Sequence, residues 1–399
     1  MRTAVDRIHD EKIFSKDFAL IWFANFFVFL GFQMTLPTIP VFINDLGGSD
    51  QLIGIVVGVF TFSALIIRPY VGHALESKGR GYVYIFGLFL FVLSVGSFGF
   101  ISIIWMLIMM RIVQGVGWGY STTASGTIAT DLIPPNRRGE GMGYFGLSGN
   151  FALAVGPALG LTLAHTINFT VLFLVCAALG FIALILALNI QYKKVDDSPH
   201  KTKPARFDVF EKSALHPAII LFFITSTFGG ITSFLPLYTA EKQIAGIQLY
   251  FISFALFLML SRVFAGKIYD EKGDLYVVPP GILLTFIAML LLSWLPNTIT
   301  MIIAGALFGF GFGAVQPALQ AWAVDKAPEN RKGMANATFF SFFDLGVGVG
   351  AILFGQLAYM YNYAVIYLVA ALFVFFALIY YFILIVTGRR EGRKARQST

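Results

Sequence analysis

The sequence predicts an all-α membrane protein, twelve transmembrane helices arranged as two pseudo-symmetric six-helix bundles. Three observations lead there. Of the 399 residues 57% are hydrophobic and only 12% charged, with mean hydropathy +0.78, whereas soluble domains carry about a quarter charged residues. Apolar runs near the ~20 residues that span a bilayer recur along the chain. The chain also repeats itself, because Arg68-x-x-x-Gly72 returns as Arg262-x-x-x-Gly266 after 194 residues. The same step carries Gly115, Gly117 and Gly119 onto Gly309, Gly311 and Gly313, and Asp131, Pro134, Asn136, Arg137 and Gly139 onto Asp325, Pro328, Asn330, Arg331 and Gly333.

The runs lie at 17–44, 51–75, 82–101, 104–130, 140–163 and 168–190, then 216–240, 246–269, 276–295, 299–323, 333–357 and 363–387. None alternates apolar with polar residues as barrel strands do, so each reads as a helix. The first run is too long for a signal-peptide core and is expected to be retained. The second and eighth end in the repeated Arg-x-x-x-Gly. The fourth and tenth carry the glycine triplets, and the eleventh carries Gly346, Gly348 and Gly350; in a bilayer such small residues let helix backbones approach and slide. Helices 5 and 11 are expected to be the close-packed moving interfaces. Short connections at Asp45–Asp50, Ser102–Ile103 and Ala164–Asn168 make successive helices antiparallel neighbours. The polar stretch 191–215 reads as a mobile linker between bundles at 1–190 and 216–399, the latter with a basic tail.

Charge gives the orientation. The net charge is +7, and 24 of the 28 Lys and Arg fall at the N-terminus, in even-numbered loops and in the C-terminal tail. This is the positive-inside asymmetry, which places both termini in the cytoplasm of a cell membrane, expected to be a bacterial inner one, and removes nucleic acid as a partner. The tail residues Arg389, Arg390, Arg393, Lys394 and Arg396 are expected to lie against an anionic leaflet. Cys176 is the only cysteine, so neither a disulfide nor a thiol metal cluster is available. Arg68 and Arg262 lie near helix ends, where they can snorkel to the surface.

Ionisable and amide residues inside the runs mark candidate work. Asp344 lies mid-run in helix 11, on a face with Ala337, Ser341, Gly348, Ala351 and Gly355. A carboxylate there costs about 2.5–3.5 kcal/mol to insert, so it is expected to face a helix or a cavity, where it can bind and release a proton. The repeat sets Asn150 at the equivalent point. Arg111, in helix 4, shares a face with Gln114, Gly115, Trp118, Thr122 and Ser125, and a permanent cation needs water, a carboxylate or an anion. Gln316 and Gln320 stand one turn apart in helix 10, and Asn25 and Gln33 share a side of helix 1. With Phe26, Trp118 and Trp322 nearby, these amides suit an amphipathic organic ligand. A structural role in packing is the bland alternative for each. The sequence contains no phosphate-binding loop and no zinc-protease helix pattern, which argues against ATP-driven transport and against an enzyme.

At these residues the chain resembles the major facilitator superfamily over essentially its whole length, specifically the twelve-helix drug:proton antiporter branch. Gly72-His-Ala-Leu-Glu76-Ser77-Lys78-Gly79-Arg80 resembles the loop 2–3 signature Gly-x-x-x-Asp-Arg-x-Gly-Arg, and Gly266–Asp270 through Gly273 is its weaker copy. Arg111-x-x-Gln114-Gly115-x-Gly117 is similar to the helix 4 signature, and Gly156-Pro157-x-x-Gly160 to the helix 5 motif of proton-driven exporters. The resemblance implies that Arg111 assists proton transfer, that Gly156, Pro157 and Gly160 shape a gating helix, and that Gly72, Glu76, Arg80 and Asp270 latch one side. Departures are Glu76 and Ser77 in the signature, Asp274 where the second copy would have arginine, and no acid mid-helix in helices 1 or 4.

The expectation is a proton-coupled antiporter that exports small amphipathic molecules by alternating access. It would act as a monomer and be powered by the proton gradient without cofactor or metal. Rivals are a dedicated exporter of one metabolite, sugar or metal-chelating natural product, a proton symporter for uptake, and a membrane sensor or scaffold that does not transport.

Overall fold

The computed structural model describes residues 14–134, 137–192, 210–328 and 332–397. Among them run twelve α-helices: α1 Lys16–Asp45, α2 Asp50–Ser77, α3 Arg80–Phe98, α4 Ile104–Leu132, α5 Arg138–Thr166, α6 Phe169–Leu188, α7 Leu215–Glu241, α8 Ile247–Lys272, α9 Val278–Ser293, α10 Thr298–Asp325, α11 Lys332–Met360 and α12 Tyr363–Gln397. Most of the 191–215 stretch, Asn136, Asn330 and Arg331 lie outside the described residues, as do the side chains of Glu76, Asp270 and the basic tail. Ten of the helices are long and apolar enough to cross a membrane. Of the other two, α4, which holds Arg111, is the less apolar, while α8 carries the apolar stretch Ile247–Arg262.

Local chemistry sets the ends. Ser15, Asn168 and Asn297 accept backbone N–H groups three residues on, at 3.1, 2.8 and 3.0 Å, and so cap α1, α6 and α10. Gly79, before α3, and its repeat partner Gly273, after α8, have φ of 92° and 83°. Side-chain-bearing residues rarely adopt that conformation, which is why the motif needs glycine there.

The chain forms two compact units, one of Met1–Gly48 with Val59–His200 and one of Ser49–Gly58 with Lys201–Thr399. Thus α2 is divided, and its first turns belong with the second unit. Inside each unit the repeat reappears as packing. A Cβ on Gly115 would strike the backbone of Phe60 and one on Gly119 that of Ala64; the equivalent Gly309 and Gly313 meet Phe254 and Leu258. Gly117 abuts Gly87, as Gly311 abuts Gly281. Gly156 and Gly160 lie on Gln33 and Met34 of α1, while Gly346 and Gly350 lie on Phe222 and Ser226 of α7. The glycines expected to line moving interfaces in helices 5 and 11 are therefore close-packed within their own units. Large exposed apolar side chains such as Ile66, Trp105 and Phe376 cover the outward faces, as lipid requires.

Candidate functional site

In the first unit, Arg111 is 1% exposed. The α4 backbone sets it one turn from Gln114, and its Nη1 donates to Gln114 Oε1. Its guanidinium also lies 4.5 Å from the Phe60 ring centroid, a cation–π contact strengthened by the burial of the cation. Phe60 stacks on Phe32 (5.0 Å), Phe32 on Trp118 (4.0 Å), and Phe29 reaches Trp118 at 4.6 Å. The cation thus rests on an aromatic wall shared by α1, α2 and α4. Two buried amide atoms near this wall in sequence, Gln114 Nε2 and Gln33 Oε1, have no hydrogen-bond partner among the described residues. One is a donor and the other an acceptor, and each costs about 1–3 kcal/mol while unpaired.

Asn25 is placed differently. Its Nδ2 donates to Ser148 at 2.8 Å and its Oδ1 accepts from Ser125 at 3.1 Å, so it cross-links α1, α4 and α5. Asn150 is half-buried on α5.

In the second unit, Arg262 is half-buried, and its Nη2 donates to Gln316 Oε1 on α10 at 2.8 Å. Snorkelling from a helix end, the expectation from sequence, left out this partner on a neighbouring helix. Gln316 is 7% exposed, and one turn on Gln320 Nε2 donates to Asn336 Oδ1 of α11 at 2.8 Å. Asp344 is half-buried on α11. The C-terminal part of the small-residue face that carries it is covered, because Ala351 and Gly355 lie against Gly54 and Asp50 at the start of α2.

Of the expected latch, Arg80 is described. Its Nε lies 3.0 Å from Asp131 Oδ2 and its Nη1 donates to Leu75 O at 3.1 Å, which ties α3 to the ends of α4 and α2. Gly72 has open space around it, and Pro157 is buried between Gly156 and Gly160. In the second unit, Asp274 stands where Arg80 would be and accepts from the Tyr381 hydroxyl at 2.8 Å.

The sequence reading missed Phe60, Ser148 and Arg262 as members of polar or aromatic clusters. The 194-residue step was the available signal for Phe60, since Phe60 and Phe254 receive equivalent glycines.

A profile of the Major Facilitator Superfamily matches residues 21–298 and 244–399. An uncharacterized MFS-type transporter of Methanocaldococcus jannaschii is 27% identical over 373 residues, 90% of this chain and 95% of that protein. Quinolone resistance protein NorA of Staphylococcus aureus is 23% identical over 367 residues, 89% and 93% respectively. Among solved structures, peptide transporter POT in complex with sulfate superposes with TM-score 0.73 at 15% identity, covering 98% of this chain and 99% of that one. The nucleoside transporter NupG (D323A mutant) gives 0.72 at 12%, covering 91% and 98%. With twelve helices, a repeated architecture and a polar cluster buried in each unit, the chain belongs to the Major Facilitator Superfamily and is a multi-pass membrane transporter of small molecules, not an enzyme.

Proposed function

We propose that this transporter is a proton-coupled antiporter of the cell membrane that exports small amphipathic organic molecules as a monomer, with both termini cytoplasmic. The observation that carries the reading is Arg111, a fully buried cation on an aromatic wall with unspent amide groups in the same unit. Burying a charge in an apolar bundle is costly enough to demand a use. The similarity to NorA, a quinolone resistance protein, supports efflux. In this reading Gln33, Gln114 and Trp118 contact cargo from the first unit, and Gln316 and Gln320 from the second. Asp344 and Arg111 exchange the proton, and Arg80 with the Gly156-Pro157-x-x-Gly160 helix serves the conformational cycle. One charge crossing ~100 mV supplies about 2.3 kcal/mol, enough for a roughly fiftyfold cargo gradient.

Flux of fluorescent dyes from proteoliposomes under an imposed pH gradient tests this. Wild-type flux should follow the gradient, and Asp344→Asn should retain downhill exchange but lose gradient-driven accumulation. Unchanged gradient dependence in Asp344→Asn would remove Asp344 from proton coupling.

A further inference from the structure

Each unit contains an arginine whose N–H group is spent on a glutamine oxygen: Arg111 on Gln114 and Arg262 on Gln316. The chemistry of this pair fixes the amide. Arginine has five donors and no acceptor, so the atom facing it must be the glutamine's Oε1, and the NH2 group must point elsewhere. An amide–amide pair such as Gln320–Asn336 carries no such constraint, because both partners can turn over together and exchange donor for acceptor. In the first unit the orientation leaves Gln114 Nε2 fully buried and unspent. In the second, Gln316 Nε2 has no hydrogen bond among the described residues, and the residue keeps 7% of its surface exposed. Arg262 adds another surplus, since its Nε is buried and has no hydrogen-bond partner among the described residues.

Among the described residues the Arg262–Gln316 pair therefore has donors in excess of its one amide oxygen. It holds a cation, an unspent guanidinium N–H and an oriented amide NH2, with the nearest amide oxygen already taken. Such a cluster is completed by an oxygen that brings lone pairs. A guanidinium beside a second N–H donor favours a carboxylate, followed by a neutral carbonyl, and disfavours an ammonium. The repeat helps explain why this position is special. The residue equivalent to Arg262 is Arg68, but the one equivalent to Gln316 is Thr122, whose hydroxyl donates to Trp118 O at 2.7 Å. At this position of the repeat the amide is present in the second unit alone.

We propose that Arg262 is a positioning residue that locks the Gln316 carboxamide with its NH2 group free, and that the two form an acceptor-binding subsite for a carboxylate or carbonyl oxygen of the cargo. This rests on the transport reading above and narrows it to amphipaths bearing such an oxygen.

The test uses the full chain purified in detergent and three probes of one shape: naphthoate, naphthamide and naphthylmethylammonium. Binding is measured by calorimetry. Wild type should bind naphthoate most tightly, naphthamide next and the ammonium least. Gln316→Glu retains a partner for Arg262 and so preserves folding, but replaces a donor with an acceptor. It should weaken naphthoate by about tenfold or more and strengthen the ammonium, reversing the order. Arg262→Met should weaken naphthoate to a similar degree, and Arg262→Lys should recover part of the loss, because a cation remains without the planar fork. Absence of naphthoate preference in wild type, or an unaltered order in Gln316→Glu, would overturn the proposal. If proteoliposomes move none of the probes while the reversal persists, the subsite stands and the transport role assigned to it falls.

Discussion

Arg80 and Asp274 occupy the same place in the two halves of the repeat, yet they carry opposite charges. In the first unit Arg80 reaches Asp131 across 3.0 Å and takes the Leu75 carbonyl as well. In the second, Asp274 instead accepts the hydroxyl of the buried Tyr381 at 2.8 Å, and Asp325, the counterpart of Asp131, sits at the end of α10. Backbone packing is nevertheless shared. The glycines that admit Phe60 and Phe254, and those that admit Gly87 and Gly281, are equivalent pairs. The comparison separates what the fold requires from what is free to diverge. Close helix crossings are kept because an added side chain has nowhere to go, whereas polar contacts need only some donor for each acceptor and can be rewired.

The largest expected effect tests whether the buried cations are equivalent. Arg111→Ala strips the buried Gln114 of its partner and should cost about 3 kcal/mol or more, seen as loss of folded protein in size-exclusion yield. Arg262→Ala, at a half-buried site, should cost less than half as much. Equal losses would show that the two clusters share one structural role.

Glycine crossings come next. Gly115→Ala and Gly309→Ala should each destabilise by about 1–3 kcal/mol, and by similar amounts, since both meet a phenylalanine backbone. Thermal unfolding in detergent checks this; a twofold or greater disparity would break the packing symmetry.

Smaller effects concern the rewired ends. Tyr381→Phe should cost about 1 kcal/mol in wild type, the worth of one hydrogen bond. In an Asp274→Arg background the same change should cost nothing, because the acceptor is already gone, and the introduced cation should be able to pair with Asp325. A double-mutant cycle reads the coupling directly. Smallest is Arg80→Ala. Side chains exposed by 22% and 20% form a screened ion pair, so about 1 kcal/mol or less is expected, shrinking further at high salt.

These contrasts also show where the sequence was legible. Helix positions followed from apolar runs, and the symmetric crossings from the 194-residue step, because both depend on local composition and spacing. The partners of Arg262 and Asn25 were not legible. Gln316 is 54 residues from Arg262, and Ser148 is 123 from Asn25, and helical periodicity says which face a residue occupies without saying which helix faces it. The division of α2 at Gly58 was likewise hidden, since nothing in its composition changes there. Asp344 is intermediate. Its small-residue face could be read from the spacing, and the structure places Gly54 and Asp50 against that face.

The shortfall in apolarity of α4 has a consequence for biogenesis. A segment that carries an arginine and several glycines and amides partitions poorly from the translocon when it emerges alone. It must be rescued by a predecessor already waiting in the lipid, and Gly87 on α3 offers α4 its crossing. Insertion of α4 during synthesis is accordingly expected to depend on α3, with a truncation after Leu132 leaving α4 outside the bilayer unless that partner is present.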